Sequence, residues 1–305
     1  MILFAALGLG GVLATVLGFL GGLIWWFDLL ASFRAQLAAG SAIVGLVLVA
    51  GGWRRIATVT LTGSLVNIGL IVPLYLTIAP EGPPDLRVLS FNILADNKEY
   101  DQVVEYIASV EADVVFLHEV SRPWEEALQE ADLPYEMTIN RASDLIFATL
   151  VLAPEGAQVV SNGWAIDQPR SVVVAFDVEG TPVRLMGIHP LAPSDEDRAR
   201  LRNEALELAG EWATEQNGPA AIVGDFNATP WSYPFRRLTS QGLIDSEQGF
   251  GLQPSFPADT FWARVPIDHL LHNAGFDTIG RTLDSAIGSD HLPLVVDLIV
   301  VEEAA

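Results

Sequence analysis

The chain opens with three long apolar stretches and continues as an alternation of short apolar runs with amphipathic segments. Residues 2–26, 37–53 and 56–78 are nearly free of charge, and each approaches the roughly 20 residues that a helix needs to cross a bilayer core. They predict three membrane-spanning helices. Trp25, Trp26 and Trp53 fall at span ends, where amphipathic rings favour the headgroup layer. A cleaved signal sequence is the poorer reading, because its apolar core is shorter and follows a basic start. The stretch Ala79–Arg87, "APEGPPDLR", reads as a linker, so the pattern divides the chain into an anchor (residues 1–80) and a second domain (residues 81–305).

Past the linker, residues 86–94 read as a strand, and 100–112 as a helix with Val103, Val104, Ile107 and Val110 at helical spacing. A buried strand over 113–120 and a helix over 121–131, capped by Ser121, follow. Residues 144–153 read as a strand, and 171–190 as two strands of a hairpin turning at Glu179-Gly180. Ser194 is the expected cap of a long helix ending near Glu215. A strand over 220–227 precedes a helix opening at Thr229-Pro230, and strands over 265–273 and 292–300 close the set. Strands that alternate with helices and also form hairpins predict a mixed α/β domain whose sheets are covered by helices.

Composition changes the picture in one respect. Half of all residues are hydrophobic, but the excess is local, and of the 38 acids and 16 bases only Asp28, Arg34, Arg54 and Arg55 fall before residue 81. The rest of the chain therefore carries about −24, a charge that repels polyanions and argues against a protein that grips nucleic acid through a basic face. Arg54 and Arg55 between the second and third spans are expected on the cytoplasmic side, which places everything after Pro80 outside; Arg34 in the outer turn argues the other way. The expected location is an inner or plasma membrane, with several spans and a periplasmic or extracellular second domain. Cysteine is absent, which excludes disulfides and thiol catalysis.

The candidate chemistry lies where apolar runs stop. Asn92, Glu119, His189, Asp225 with Asn227, and Asp268 each punctuate a predicted strand, and Asp290-His291 in "GSDHLP" precedes another. Any one of these is an ordinary turn former. Together, if they converge on one rim, they offer carboxylates, amides and imidazoles without thiols, a donor set suited to Mg²⁺ or Mn²⁺. Asp225 and Asn227, two apart on a pleated strand, are expected on one side, with Phe226 turned to the core.

These motifs, "GDFNATP" and "GSDHLP" above all, with the upstream Asn and Glu in order across residues 86–300, resemble the endonuclease/exonuclease/phosphatase family. The resemblance implies a four-layer α/β sandwich, two packed mixed sheets flanked by helices, and metal-dependent phosphoester hydrolysis. Carried over residue by residue, it implies Glu119 as principal metal ligand with Asn92 and Asp290. It implies Asp225 to position or deprotonate water and Asn227 to donate to phosphoryl oxygens. Asp268 would orient His291, which is a phosphate donor in one reading and the base in another, and His189 would donate to the phosphate or leaving group. His118 departs from the family, which commonly has Gln there. His269 and His272 are expected to be structural, and Arg198 and Arg202 to be solvent-exposed rather than turned to substrate. The expected substrate is a phospholipid, a small phosphodiester or a phosphomonoester, the expected partner is the bilayer, and no obligate protein partner is evident. A nuclease, disfavoured by the missing basic loops, and a catalytically inactive binding protein of the same fold are the alternatives.

Overall fold

The computed structural model describes residues 1–140, 148–160 and 171–301. Four helices lead: α1 (Ile2–Leu17), α2 (Trp25–Ala31), α3 (Arg34–Ala50) and α4 (Arg54–Ile71), with short 3-10 turns after α1 and α4. Two helices, Ile2–Leu20 and Arg54–Tyr75 with their 3-10 extensions, are long and apolar enough to cross a membrane. The expected middle span instead begins within a bent pair, α2 and α3, which meet at 65°. The first expected span also stops short of Trp25 and Trp26, which open α2 rather than close α1.

A polar seam locks these helices together. Arg34, expected in a turn, is buried and donates to the Thr15 carbonyl at 2.9 Å and to Asn67 Oδ1 at 3.2 Å, while Asn67 Nδ2 donates to Thr15 Oγ1 at 2.8 Å. In an apolar surround an unpaired polar group costs several kcal/mol, so such groups must satisfy one another. Gly8 lets α1 and α4 approach so closely that a Cβ there would collide with the Thr60 side chain.

The remaining chain forms two six-stranded mixed sheets. The first has the order β11-β12-β1-β2-β4-β3, with β1 Leu86–Asn92, β2 Val114–Val120, β3 Glu136–Asn140, β4 Ala148–Ala153, β11 Phe276–Leu283 and β12 Leu294–Val300. The second has the order β5-β6-β7-β8-β10-β9, with β5 Gln158–Val160, β6 Ser171–Val178, β7 Thr181–Ile188, β8 Ala220–Asp225, β9 Ile244–Asp245 and β10 Asp268–His272. Among the described residues only β1 with β2 and β7 with β8 pair in parallel, and the other ladders are antiparallel.

The strand pattern explains the layering. Along β2, Val114 and Phe116 enter the core between the sheets, whereas Val115 and Leu117 pack outward under α5 (Tyr100–Val110) and α6 (Arg122–Glu130). On the other side Met186, Ile222 and Leu271 pack beneath α7 (Glu196–Thr214) and α8 (Tyr233–Ser240). Burial on both faces is why these strands read as unbroken apolar runs.

Several local expectations shift. Ser121 sits at the cap position of α6, but its hydroxyl donates to the Ala95 carbonyl. Asp195 rather than Ser194 caps α7, accepting from the Arg198 N–H at 2.9 Å. Thr229-Pro230 forms a turn, and the helix starts at Tyr233 with Pro234 in its first turn. The strand expected over 144–153 is described from Ala148; residues 144–147 lie outside the described residues.

Candidate active site

Strand direction brings the candidate residues to one edge. The parallel strands β1 and β2 end there with Asn92 and Glu119, and β7 and β8 end there at His189 and Asp225. Antiparallel partners must start there instead: β10 opens with Asp268, registered opposite Asp225, and β12 is preceded by Asp290-His291. Asp268 is thus a strand start, not the strand end expected from the sequence.

The side chains meet across both sheets. Asn92 Nδ2 lies 3.2 Å from Glu119 Oε1, 3.2 Å from Asp225 Oδ2 and 3.5 Å from His291 Nε2. Asp225 Oδ2 is also 3.4 Å from His189 Nε2 and 3.6 Å from His291 Nε2. His291 Nδ1 sits 2.8 Å from Asp268 Oδ2, a buried pair that orients the ring with Nε2 toward the cluster.

Backbone geometry aims these groups. Glu119 lies on a bulge, where the β2–β4 register slips between Leu117 and Val120, and its φ of 60° is a left-handed conformation that a non-glycine residue adopts at some cost. The bulge turns Glu119 out of the strand alternation while His118 stays buried behind it. Asn227 departs from the strand expectation. At φ 49° it has left β8, its N–H bonds Asp225 Oδ1 at 2.9 Å and its side-chain amide donates to the Pro190 carbonyl at 3.2 Å. Phe226 is buried as expected.

Protonation follows contacts. Burial by itself lowers the pKa of His291, but Asp268 and Asp225 outweigh it and push it up to about 10, so the ring is a cation at neutral pH. Burial raises Asp225, yet His291, His189 and the Asn227 N–H hold it well below the usual carboxylate range. Asp290 is raised, first by burial and then by the charges of Glu119 and Asp225 against the pull of His291. A carboxyl raised by the charges of its neighbours is one that a divalent cation would relieve, and Asn92, Glu119 and Asp290 could hold one. Asp225, Asp268 and His291 also have ligand atoms within 4.8 Å of one another, but there the imidazolium already supplies the positive charge.

Sequence reasoning missed the supports. Ser289 donates to the Asn92 carbonyl at 2.6 Å and accepts from the His291 N–H at 3.1 Å, tying β1 to the last strand. Phe256 packs its ring 4.7 Å from that of His291, and the Ser255 hydroxyl accepts from the Asp268 N–H at 3.3 Å. Ser289 stands inside the quoted "GSDHLP" motif; Phe256 carries no local signal. Gly224 is required where the sheets converge, because a Cβ would overlap the Ile188 carbonyl and lie 2.7 Å from His118 Nε2. Burial first, and then His189, pulls His118 down to about 3, so this departure from the family pattern adds a neutral ring behind the site. His269 and His272 are buried and bonded to backbone carbonyls, as structural residues are. Arg198 is exposed as expected, but Arg202 is buried, 2.9 Å from Asp28.

Two packed mixed sheets flanked by helices, with carboxylates and imidazoles gathered at one end, define the class by its fold, a four-layer α/β sandwich. The chain belongs to the endonuclease/exonuclease/phosphatase family, whose model matches residues 89–291. Members of that family are generally hydrolases of phosphoester bonds and depend on divalent metals. None of the curated proteins matches the chain. Among solved structures it is similar to an endonuclease/exonuclease/phosphatase protein of Bacteroides vulgatus (16% identity, TM-score 0.58, covering 71% of this chain and 99% of that one). It is also similar to a mannosyl-6-phosphatase of Bacteroides thetaiotaomicron (18%, 0.56, 70% and 99%). A third is D. rerio TDP2 in complex with a single-strand DNA product (16%, 0.58, 70% and 99%). At these identities the likeness is one of fold.

Proposed function

We propose that the protein is a membrane-anchored phosphoesterase that works with Mg²⁺ or Mn²⁺, its second domain outside the cytoplasm. The observation that carries this reading is the meeting of Asn92, Glu119, His189, Asp225 and His291 from both sheets at one edge, with His291 held by Asp268. Glu119, Asn92 and Asp290 would hold the cation, which when bound neutralises phosphate charge and polarises the ester. Asp225, ionised at that edge, accepts a proton from the attacking water or aligns it. His291, a cation fixed by Asp268, donates Nε2–H to a phosphoryl oxygen, which favours the donor reading over the base reading. His189 donates to the phosphate or to the leaving oxygen, and the second N–H of the Asn227 amide remains for the phosphate. Catalysis is then positioning and charge neutralisation, as phosphoryl transfer requires.

The helix arrangement supports the proposed topology. Met1 packs beside Gly51, at the end of the bundle that carries Arg54 and Arg55, whereas the catalytic part contacts the opposite end through Asp28, Leu70 and Leu74. An alkaline phosphatase fusion after Pro80 should be active, and an inactive fusion would place the catalytic part in the cytoplasm. For the chemistry, full-length protein in detergent should hydrolyse bis(p-nitrophenyl) phosphate with Mg²⁺ or Mn²⁺ and lose that activity in EDTA. Full activity in excess chelator would end the metal mechanism.

A further inference from the structure

The catalytic rim and the membrane helices share an edge. Trp231 Nε1 donates to the Leu70 carbonyl at 3.0 Å, and the Tyr233 N–H donates to Asp28 Oδ1 at 2.6 Å. Arg202 links the two parts, reaching Asp28 Oδ2 at 2.9 Å and the Asn227 carbonyl at 2.6 Å. The loop that begins at Phe256 and carries Ala258, whose N–H bonds the Asp290 carbonyl at 2.7 Å, continues to Phe261 and Trp262. Gln36 at the start of α3 then bonds the Arg264 carbonyl at 2.8 Å and the Trp262 carbonyl at 3.4 Å.

Phe261 and Trp262 are 78% and 69% exposed, whereas no other large apolar side chain among the described residues after Leu86 exceeds 37%. Two adjacent bare rings are expensive in water and favourable in a headgroup layer. The path of the chain agrees. Leu74 accepts from the Gly249 and Gly251 N–H groups, after which the linker must run to Leu86 so that β1 returns with Asn92 at the rim. A groove of about 520 Å³ near the end of α1 sets Phe19, Leu20 and Leu23 against Arg236 and Arg237, the latter paired with Glu207.

We infer that the rim faces the bilayer holding the anchor, with Phe261 and Trp262 immersed in it, and that the substrate is a phosphoester carried by a lipid of that bilayer. This rests on the phosphoesterase reading above. The oxygen of water bonds to phosphorus, the P–O bond to the lipid or headgroup alcohol breaks, and the proton given up by water ends on that alcohol.

The test uses full-length protein in phosphatidylcholine nanodiscs, with and without phosphatidylglycerol, in Mg²⁺. Lipid cleavage is followed by ³¹P NMR beside bis(p-nitrophenyl) phosphate, plasmid DNA and RNA. The Phe261→Ser/Trp262→Ser variant should lose lipid cleavage by roughly tenfold or more while bis(p-nitrophenyl) phosphate turnover stays within about twofold. Quenching by brominated lipids should be stronger in the wild type than in Trp262→Tyr. Equal loss on both substrates, no loss on lipid, or faster cleavage of DNA or RNA than of lipid overturns the inference. Hydrolysis of no substrate overturns the phosphoesterase reading itself, while absence of differential quenching overturns the membrane-facing geometry alone.

Discussion

Two buried clusters in this molecule share a composition, two carboxylates and an imidazole, and differ in everything else. At the rim, Asp225 and Asp268 flank His291; deeper in, Asp245 and Glu247 lie with His269. The rim histidine meets a carboxylate at 2.8 Å and is held as a cation, whereas His269 points Nε2 at the Ala228 and Pro266 carbonyls and burial pulls it down to about 3. In the deeper cluster the cation is Arg281, and Glu247 is pushed up to about 8 by burial, with Asp245 adding and Arg281 opposing. Residue type does not decide protonation; the nearest partner does. One cluster holds an imidazolium against its carboxylates at the rim, and the other raises its carboxyl groups and lowers its imidazole inside the fold.

The contrast breaks most sharply on activity. Glu119→Ala or His291→Ala should reduce metal-dependent hydrolysis by about 10³-fold or more with an unchanged circular dichroism spectrum. Asp268→Asn, which leaves His291 without its anchoring charge, should cost about 10²-fold in kcat with a smaller change in KM. Arg281→Met should act first on stability, lowering it by about 3 kcal/mol in denaturant titration, because it removes the buried charge that faces Asp245 and Glu247 together with the bond to the Asp268 carbonyl at 3.1 Å. The last contrast concerns pH. His269 has a folded pKa below its unfolded 6.5, so its contribution to stability is full above pH 6.5 and is lost as pH falls toward 3, with a slope of up to about 1.4 kcal/mol per pH unit. Glu247 runs the other way, its contribution being full below its unfolded 4.5 and lost as pH rises through about 8. His269→Asn should flatten only the acid limb of a stability-versus-pH curve.

The same distinction governs what the sequence disclosed. The central strands were legible because burial on both faces makes them continuous apolar runs, and the rim residues were legible because each interrupts such a run. Edge strands were not. β3 is half-buried, and β11 alternates irregularly through a register shift near Gly280, so neither carries a clean period. Caps slipped by a residue or more because several Ser, Thr and Asp side chains compete near each helix start. Arg202 was unreadable for a different reason. On α7 it resembles its exposed neighbours, and its partner Asp28 lies 174 residues away in a turn between two expected spans.

The pairing of β1 with β12 sets an order of events. These neighbours meet in register from Leu86↔Leu298 to Ser90↔Leu294, near opposite ends of the catalytic chain, and Ser289 joins the Asn92 backbone just beyond them. During synthesis the helices and Asn92 emerge first, while His291 follows 199 residues later. The half-built sheet cannot close over its gap by local contacts, since the missing neighbour has not yet been made. The rim therefore assembles only once β12 has been made, and a chain that stops before Asp290 holds Asn92 and Glu119 without the partners that precede β12.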